Sequence, residues 1–194
     1  MARRVLPILL VVLLLVAAVA LRESGSQAQV QPKRSSACGP DVSTWARELG
    51  LERTRRLTLC LLNEQRARTG LASLRHETRL ELAAQRYAAE MVERRFFEHV
   101  DPGGLDPQDR ILMAGYPATN AWTGENLAWG TGPEGSPVEI VDGWIHSPGH
   151  KANILRGAFT EIGIGVAFDV PKQLGDDADP GATYVTTFGG PPQP

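Results

Sequence analysis

The chain has 194 residues, 42% of them hydrophobic, and a formal net charge of −2. That length accommodates one domain of ordinary size plus extensions, and that apolar share suits a soluble globular protein rather than a disordered or polytopic one. Lysine occurs only at Lys33, Lys151 and Lys172, and the basic residues form no stripe able to neutralise phosphates, so the chain shows no mark of a nucleic-acid partner.

Arg3 and Arg4 precede an unbroken apolar run from Val5 to Leu21. A positive head before an apolar core marks an export segment, and this run sits near the lower length limit for crossing a bilayer. Ala18-Val19-Ala20 and Ser26-Gln27-Ala28 each offer a small-residue cleavage site. Residues 1–28 therefore read as a signal peptide or an N-terminal membrane anchor. Either places the rest of the chain outside the cytoplasm, extracellular or at the cell envelope, and membrane contact is expected only through this segment if it stays uncleaved. Residues 29–53 read as a linker and N-terminal extension, polar and Ser/Gln/Pro-rich up to residue 40, with room for a short helix over 41–53. Cys38 and Cys60 are the only cysteines. In an oxidising compartment such a pair is expected to form a disulfide, here tying the extension to the first helix of the domain. Metal ligation by the pair is the weaker reading, because two thiols alone make a poor site.

The domain itself is expected over 54–190. Its first helix runs from about Thr54 to Arg68 with Leu57, Cys60, Leu61 and Leu62 inward, and Gly70 stops it. Thr78 and Glu81 have the spacing of a capping box, and Leu80, Ala83, Ala84, Tyr87, Ala88 and Met91 form one apolar stripe behind it, ending near Arg95. A shorter helix is expected over Asp106–Ala114, with Pro107 in its first turn and Gly115 after it. Ser136-Pro137-Val138-Glu139 reads as a further helix start, with Pro148-Gly149 as its end. From Ile162 to Val170 large apolar residues alternate with small ones, the period of a strand with one buried face. Gly163 and Gly165 leave its other face bare for a backbone or a ligand. Tyr184–Phe188 reads as the partner strand, across an acidic loop over 176–179 that departs from calcium-loop spacing. Helices first and strands later argue an α+β domain.

Four stretches, in order, carry a family resemblance. They are Leu62-Asn63-Glu64-Gln65-Arg66, Phe96-Phe97-Glu98-His99 with Asp101-Pro102-Gly103-Gly104, Gly124-Glu125-Asn126-Leu127-Ala128, and Trp144-Ile145-His146-Ser147-Pro148-Gly149-His150 leading to Glu161-Ile162-Gly163-Ile164-Gly165. Together they resemble the CAP superfamily of cysteine-rich secretory, antigen 5 and pathogenesis-related 1 proteins, in its bacterial branch. The resemblance implies a three-layer α-β-α sandwich with a small antiparallel sheet. It also implies a cleft lined by His99, Glu125 and His150. The second acid of eukaryotic members corresponds to Ser147 here, so their full tetrad is absent.

Two imidazoles and one carboxylate could fill three positions on zinc, with His99, His150 and Glu125 as ligands; the competing reading is a polar network in which Glu125 orients the histidines. No cofactor is required by the sequence. His146 and His76 are expected at the surface, Trp144 and Phe97 in the core, and Asn126 in a structural role; Trp122 and Trp129 could line the cleft or pack. Ser147 lacks a nucleophile elbow and is better explained as helix-ending chemistry. The functional expectation is a non-catalytic extracellular module binding a lipid, an envelope component or a protein. The alternative is a metal-dependent hydrolase or peptidase using His99, His150 and Glu125, with Glu161 as a separate base.

Overall fold

The computed structural model describes residues 37–173, 175 and 178–192. The export segment and most of the linker lie outside the described residues, as do Asp176 and Asp177 of the acidic loop. Among the described residues no helix is long and apolar enough to cross a membrane.

After a 3-10 turn at Pro40–Ser43 come α1 (Ala46–Leu49), α2 (Leu51–Ala67), β1 (Arg75–His76), α3 (Thr78–Arg94), α4 (Pro107–Met113), β2 (Ala121–Thr131), α5 (Pro137–His146), α6 (Pro148–Ile154), β3 (Glu161–Ala167) and β4 (Gly181–Pro192). The sheet order is β1-β3-β4-β2, antiparallel except for the two-residue parallel pairing of β1 with β3. The expected partnership of 162–170 with 184–188 is the β3–β4 pair, with Val166 opposite Tyr184 and Ile162 opposite Phe188. Helices cover both faces, as the α-β-α expectation required.

The alternation of β3 and β4 decides which layer each residue meets. Ile162, Ile164, Val166, Tyr184 and Phe188 join Leu57, Leu61, Leu62 and Trp144 in one core under α2 and α5. Val185 and Leu127 face the other way, against Ala84, Tyr87, Ala88 and Met91 of α3. The bare face of β3 takes a backbone. A Cβ on Gly163 would sit 2.0 Å from the backbone of Leu80 and Glu81, and one on Gly165 would sit 2.2 Å from that of Ala84. Only glycine lets α3 lie directly on the sheet, which is how that helix comes to end beside the edge strand β2.

The extension over 38–53 packs against this body, with Val42 and Ala46 buried in the larger core. Cys38 and Cys60 form the expected disulfide, spanning 22 positions. The opening motif on α2 is structural. Asn63 donates to and accepts from the backbone of Leu74, and the fully buried Arg66 donates to the carbonyls of Ala72, Ile154, Arg156 and Phe159.

Several local expectations need correction. Glu77, not Thr78, caps α3, accepting from Leu80 N–H at 2.8 Å, while Glu81 is engaged by Arg55 and His76. Ser136 precedes α5 without a side-chain cap. The helix begun at Pro137 does end ahead of Pro148-Gly149, at His146, but Pro148 also opens a new helix, α6, because a proline in the first turn forfeits an N–H that has no helical partner anyway. The Gly124-Glu125-Asn126 motif lies on strand β2. Phe97 is 37% exposed, because α3 ends at Arg95 in left-handed backbone and the chain turns outward before reaching it.

Candidate functional site

Three elements converge at the β2 edge of the sheet: the loop after α3, strand β2, and α6. Glu125 on β2 is 2% exposed at its side chain. A carboxylate so buried needs compensation, and it has two partners. Arg110 of α4 donates from Nη2 to Glu125 Oε2 at 2.9 Å and to Oε1 at 3.2 Å. His99 Nδ1 lies 2.8 Å from Glu125 Oε1. Sequence reasoning missed Arg110. Its only signal was an arginine next to Ile111 on the inward side of a short helix, and nothing in the chain tied it to Glu125 fifteen residues later.

Arg110 also builds the loop that carries His99. It donates to Leu105 O at 2.8 Å and to His99 O at 2.9 Å, and its guanidinium lies 3.3 Å from the centre of the Tyr87 ring. Tyr87 donates in turn to Glu98 O at 2.5 Å. Asp101 Oδ1 accepts the N–H groups of Gly103 and Leu105, which folds Asp101-Pro102-Gly103-Gly104 into a tight turn with Gly104 at φ 92. The first histidine segment is thus held from four directions.

The second histidine arrives on α6, half-buried. Asn126, fully buried on the face of β2 opposite Glu125, donates to His150 O at 3.1 Å. Asn153 donates to Asn126 Oδ1 at 2.9 Å and to Glu125 O at 3.0 Å. These amides tie α6 to β2, the structural role expected of Asn126. Gly124 is needed here because a Cβ would meet the Phe159 ring at 2.8 Å. Ser147 is the hinge residue between α5 and α6: its N–H donates to Trp144 O and its carbonyl accepts from Lys151 N–H. Trp144 is buried and donates from Nε1 to Leu127 O.

The two imidazoles are driven apart electrostatically. The hydrogen bond that His99 makes to the Glu125 carboxylate raises the His99 pKa above its usual value of 6.5, against the opposing effect of burial. Burial, and then the neighbouring charge of His99, lowers that of His150. The two shifts run in opposite directions, so as pH falls His99 takes up its proton before His150 does.

The other aromatic and acidic candidates lie away from this pair. Glu161 accepts from Tyr116 Oη at 2.8 Å and pairs with Arg75, at the far edge of the sheet from Glu125. Trp122 and Trp129 are half-buried under Arg156 and Lys172 respectively. His146 is exposed beside Asp142, and His76 is half-exposed against Glu81.

A zinc held by His99, His150 and Glu125 would have to compete with the contacts Glu125 already makes. Both Glu125 oxygens are engaged by Arg110 and His99, leaving two imidazoles, whereas catalytic zinc takes three protein ligands plus water. Among the described residues the one cluster with ligand atoms within 4.8 Å of one another is Cys38, Cys60 and Glu64, and those sulfurs are bonded to each other.

A family model, that of the cysteine-rich secretory protein family CAP, matches residues 59–175, more than half of the chain. The chain belongs to the CAP family. Uncharacterized protein YkwD of Bacillus subtilis (strain 168) is 33% identical over 105 residues, 54% of this chain and 39% of that protein. Uncharacterized membrane protein YlbC of the same organism is 31% identical over 110 residues, 56% of this chain and 30% of that one. This CAP chain therefore spans well under half the length of the curated relatives it matches. An outer surface protein from Borrelia burgdorferi superposes with a TM-score of 0.55 at 25% identity, covering 70% of this chain and 90% of that one. An extracellular protein containing a SCP domain from Bacillus anthracis str. Ames gives 0.57 at 24% identity, over 71% and 40% of the two chains, a likeness of fold.

Proposed function

We propose that the chain is an exported, non-catalytic CAP module that binds an amphiphilic component of the cell envelope at the His99 loop. The observation that carries this reading is a row of exposed apolar side chains on a loop held rigid from behind. Phe97 is 37%, Val100 51% and Leu105 36% exposed, and Met113 of α4 is 69% exposed. Tyr87, Asp101 and Arg110 hold the backbone between them. Such residues gain nothing for stability by facing water, and a cluster of them marks a contact surface. His99, on the same loop and half-exposed, supplies a polar contact for the head of a ligand whose apolar part lies on Phe97, Val100 and Leu105.

An extracellular or envelope location is supported by the Arg3-Arg4 and Val5–Leu21 leader and by relatives described as outer surface, membrane or extracellular proteins. Catalysis by a metal is disfavoured by the engagement of both Glu125 oxygens.

The test is co-sedimentation with phosphatidylglycerol vesicles of the chain freed of residues 1–28, whose apolar run would otherwise carry it to the vesicles, beside a Val100→Ser/Met113→Ser variant and a His99→Gln variant. Removing two exposed apolar side chains lowers the partition about tenfold or more if they contact lipid. Unchanged partition in both variants rejects the loop as the binding surface. Calorimetric titration with zinc decides the alternative: tight one-to-one binding lost in His99→Ala/His150→Ala revives the hydrolase reading.

A further inference from the structure

Among the described residues sulfur occurs at Cys38, Cys60, Met91 and Met113. The two cysteines are spent in the disulfide, and none is free. Met91 of α3 is 0% exposed, packed with Tyr87, Leu127 and Val185. Met113, the last residue of α4, is 69% exposed, more than any other large apolar side chain among the described residues. Oxidation of a thioether follows access, so a mild two-electron oxidant reaches Met113 and spares Met91.

Met113 also belongs to the surface that carries the His99 loop. With Leu105 of that loop and Ala83 and Tyr87 of α3 it borders a cavity of about 130 Å³. Arg110, three residues earlier on α4, donates to the carbonyls of Leu105 and His99, which fixes the helix against the loop. Phe97, Val100 and Leu105 are hydrocarbon and inert to peroxide, so Met113 is the member of the exposed row whose polarity such an oxidant changes. Its side chain takes part in none of the buried clusters, whereas its neighbour Ile111 is 0% exposed among Leu80, Ala83 and Tyr116. An oxygen added at Met113 therefore alters the contact surface and leaves the core intact.

We infer that Met113 is a reversible oxidation site through which peroxide weakens the hold of the protein on its amphiphilic ligand, a regulation that rests on the binding reading given above for the same surface. The thioether sulfur of Met113 attacks one oxygen of hydrogen peroxide, the O–O bond breaks, and the other oxygen takes up the remaining protons and leaves as water. Sulfur loses two electrons, peroxide gains them, and the product is methionine sulfoxide. A sulfoxide reductase removes that oxygen as water while a dithiol is oxidised to a disulfide. The sulfoxide oxygen is a hydrogen-bond acceptor, and pressing it against an acyl chain strips it of water with no donor in exchange.

The test treats the chain freed of residues 1–28 with hydrogen peroxide and follows the added oxygen by peptide mass spectrometry. Met113 is oxidised at about the rate of free methionine while Met91 stays unmodified, and the near-ultraviolet circular dichroism is unchanged. The oxidised protein partitions about tenfold more weakly onto phosphatidylglycerol vesicles, and reductases for both sulfoxide epimers restore it. Met113→Leu, which keeps the volume and removes the sulfur, partitions equally before and after peroxide. Oxidation of Met113 no faster than that of Met91, an unchanged partition of the oxidised protein, or an equal peroxide effect in Met113→Leu each overturns the proposal. Failure of the untreated parent to bind vesicles is a different result: it removes the binding reading, and this regulation with it.

Discussion

Glu125 carries a charge that the fold has taken almost entirely out of water, and two residues distant in sequence make that tolerable. Arg110 neutralises it and His99 hydrogen-bonds to it. Breaking a buried pair by removing one partner leaves an uncompensated charge, so Arg110→Met is expected to cost roughly 3–5 kcal/mol in urea denaturation. Glu125→Gln keeps the shape but removes the acceptor charge, and the midpoint of the His99 imidazole, followed by its ring-proton NMR signal, moves down toward 6.5. Unchanged titration in that variant rules out Glu125 as the cause of the shift. The same residues set a pH dependence with two opposing signs. His99 has a raised folded-state pKa, so its stabilisation is complete below the unfolded value near 6.5 and fades as pH rises through the folded one. His150 has a lowered folded-state pKa, so its contribution is complete above the unfolded value and fades as pH falls through the folded one. Because His99 is 53% exposed at its side chain, its part is small and screened by salt. In thermal melts, His150→Gln should hold its stability better than the parent as pH drops below 6.5, whereas His99→Gln should lose ground to the parent as pH falls from above the raised folded-state value of His99 to 6.5, with a constant deficit below it.

At the scale of the element, α3 is positioned by what the sheet lacks. Its backbone at Leu80–Glu81 and at Ala84 rests on Gly163 and Gly165, and Thr187 Oγ1 donates to Leu80 O at 2.7 Å. This close seating brings Tyr87 to Arg110 and starts the His99 loop where Glu125 can reach it. Gly163→Ala places a methyl on backbone rather than on a side chain able to swing away, and is expected to cost at least the upper end of roughly 1–3 kcal/mol for overpacking. Gly143→Ala is the control: that glycine is mid-helix on α5 with open space at its Cβ position, and alanine there should be neutral or stabilising by up to about 1 kcal/mol. Equal destabilisation by both changes shows that the close approach of α3 to the sheet is not what makes Gly163 necessary.

For the whole molecule, the Cys38–Cys60 bridge fixes the chain ahead of α2 to the larger core, into which Val42 and Ala46 are also packed. A cross-link closing 22 positions removes unfolded-state freedom amounting to about 3 kcal/mol. Cys38→Ser/Cys60→Ser should therefore lower the chemical unfolding midpoint while leaving the near-ultraviolet signal of buried Trp144 unchanged, since its hydrogen bond to Leu127 O and its packing against the sheet do not depend on the bridge. Loss of that signal means the extension is integral to the core rather than stapled onto it.

The amino-acid sequence alone determined the α+β class, the disulfide, the apolar stripes of α2 and α3, the β3–β4 pair and the four motifs of the family. Each of these is written in local periodicity, in a residue count or in short ordered patterns. It also marked Gly163 and Gly165 as a bare face, without saying whether a ligand or a backbone would cover it. Only the tertiary structure decided that α3 covers it, that a second helix starts at Pro148 where the first has just ended, and that Arg110 joins Glu125 and His99. It alone set Phe97 at the surface. These are facts about residues far apart in the chain, or about which of two locally permitted conformations packing selects. Burial, charge compensation and edge closure are properties of the assembled molecule, and no window of sequence contains them.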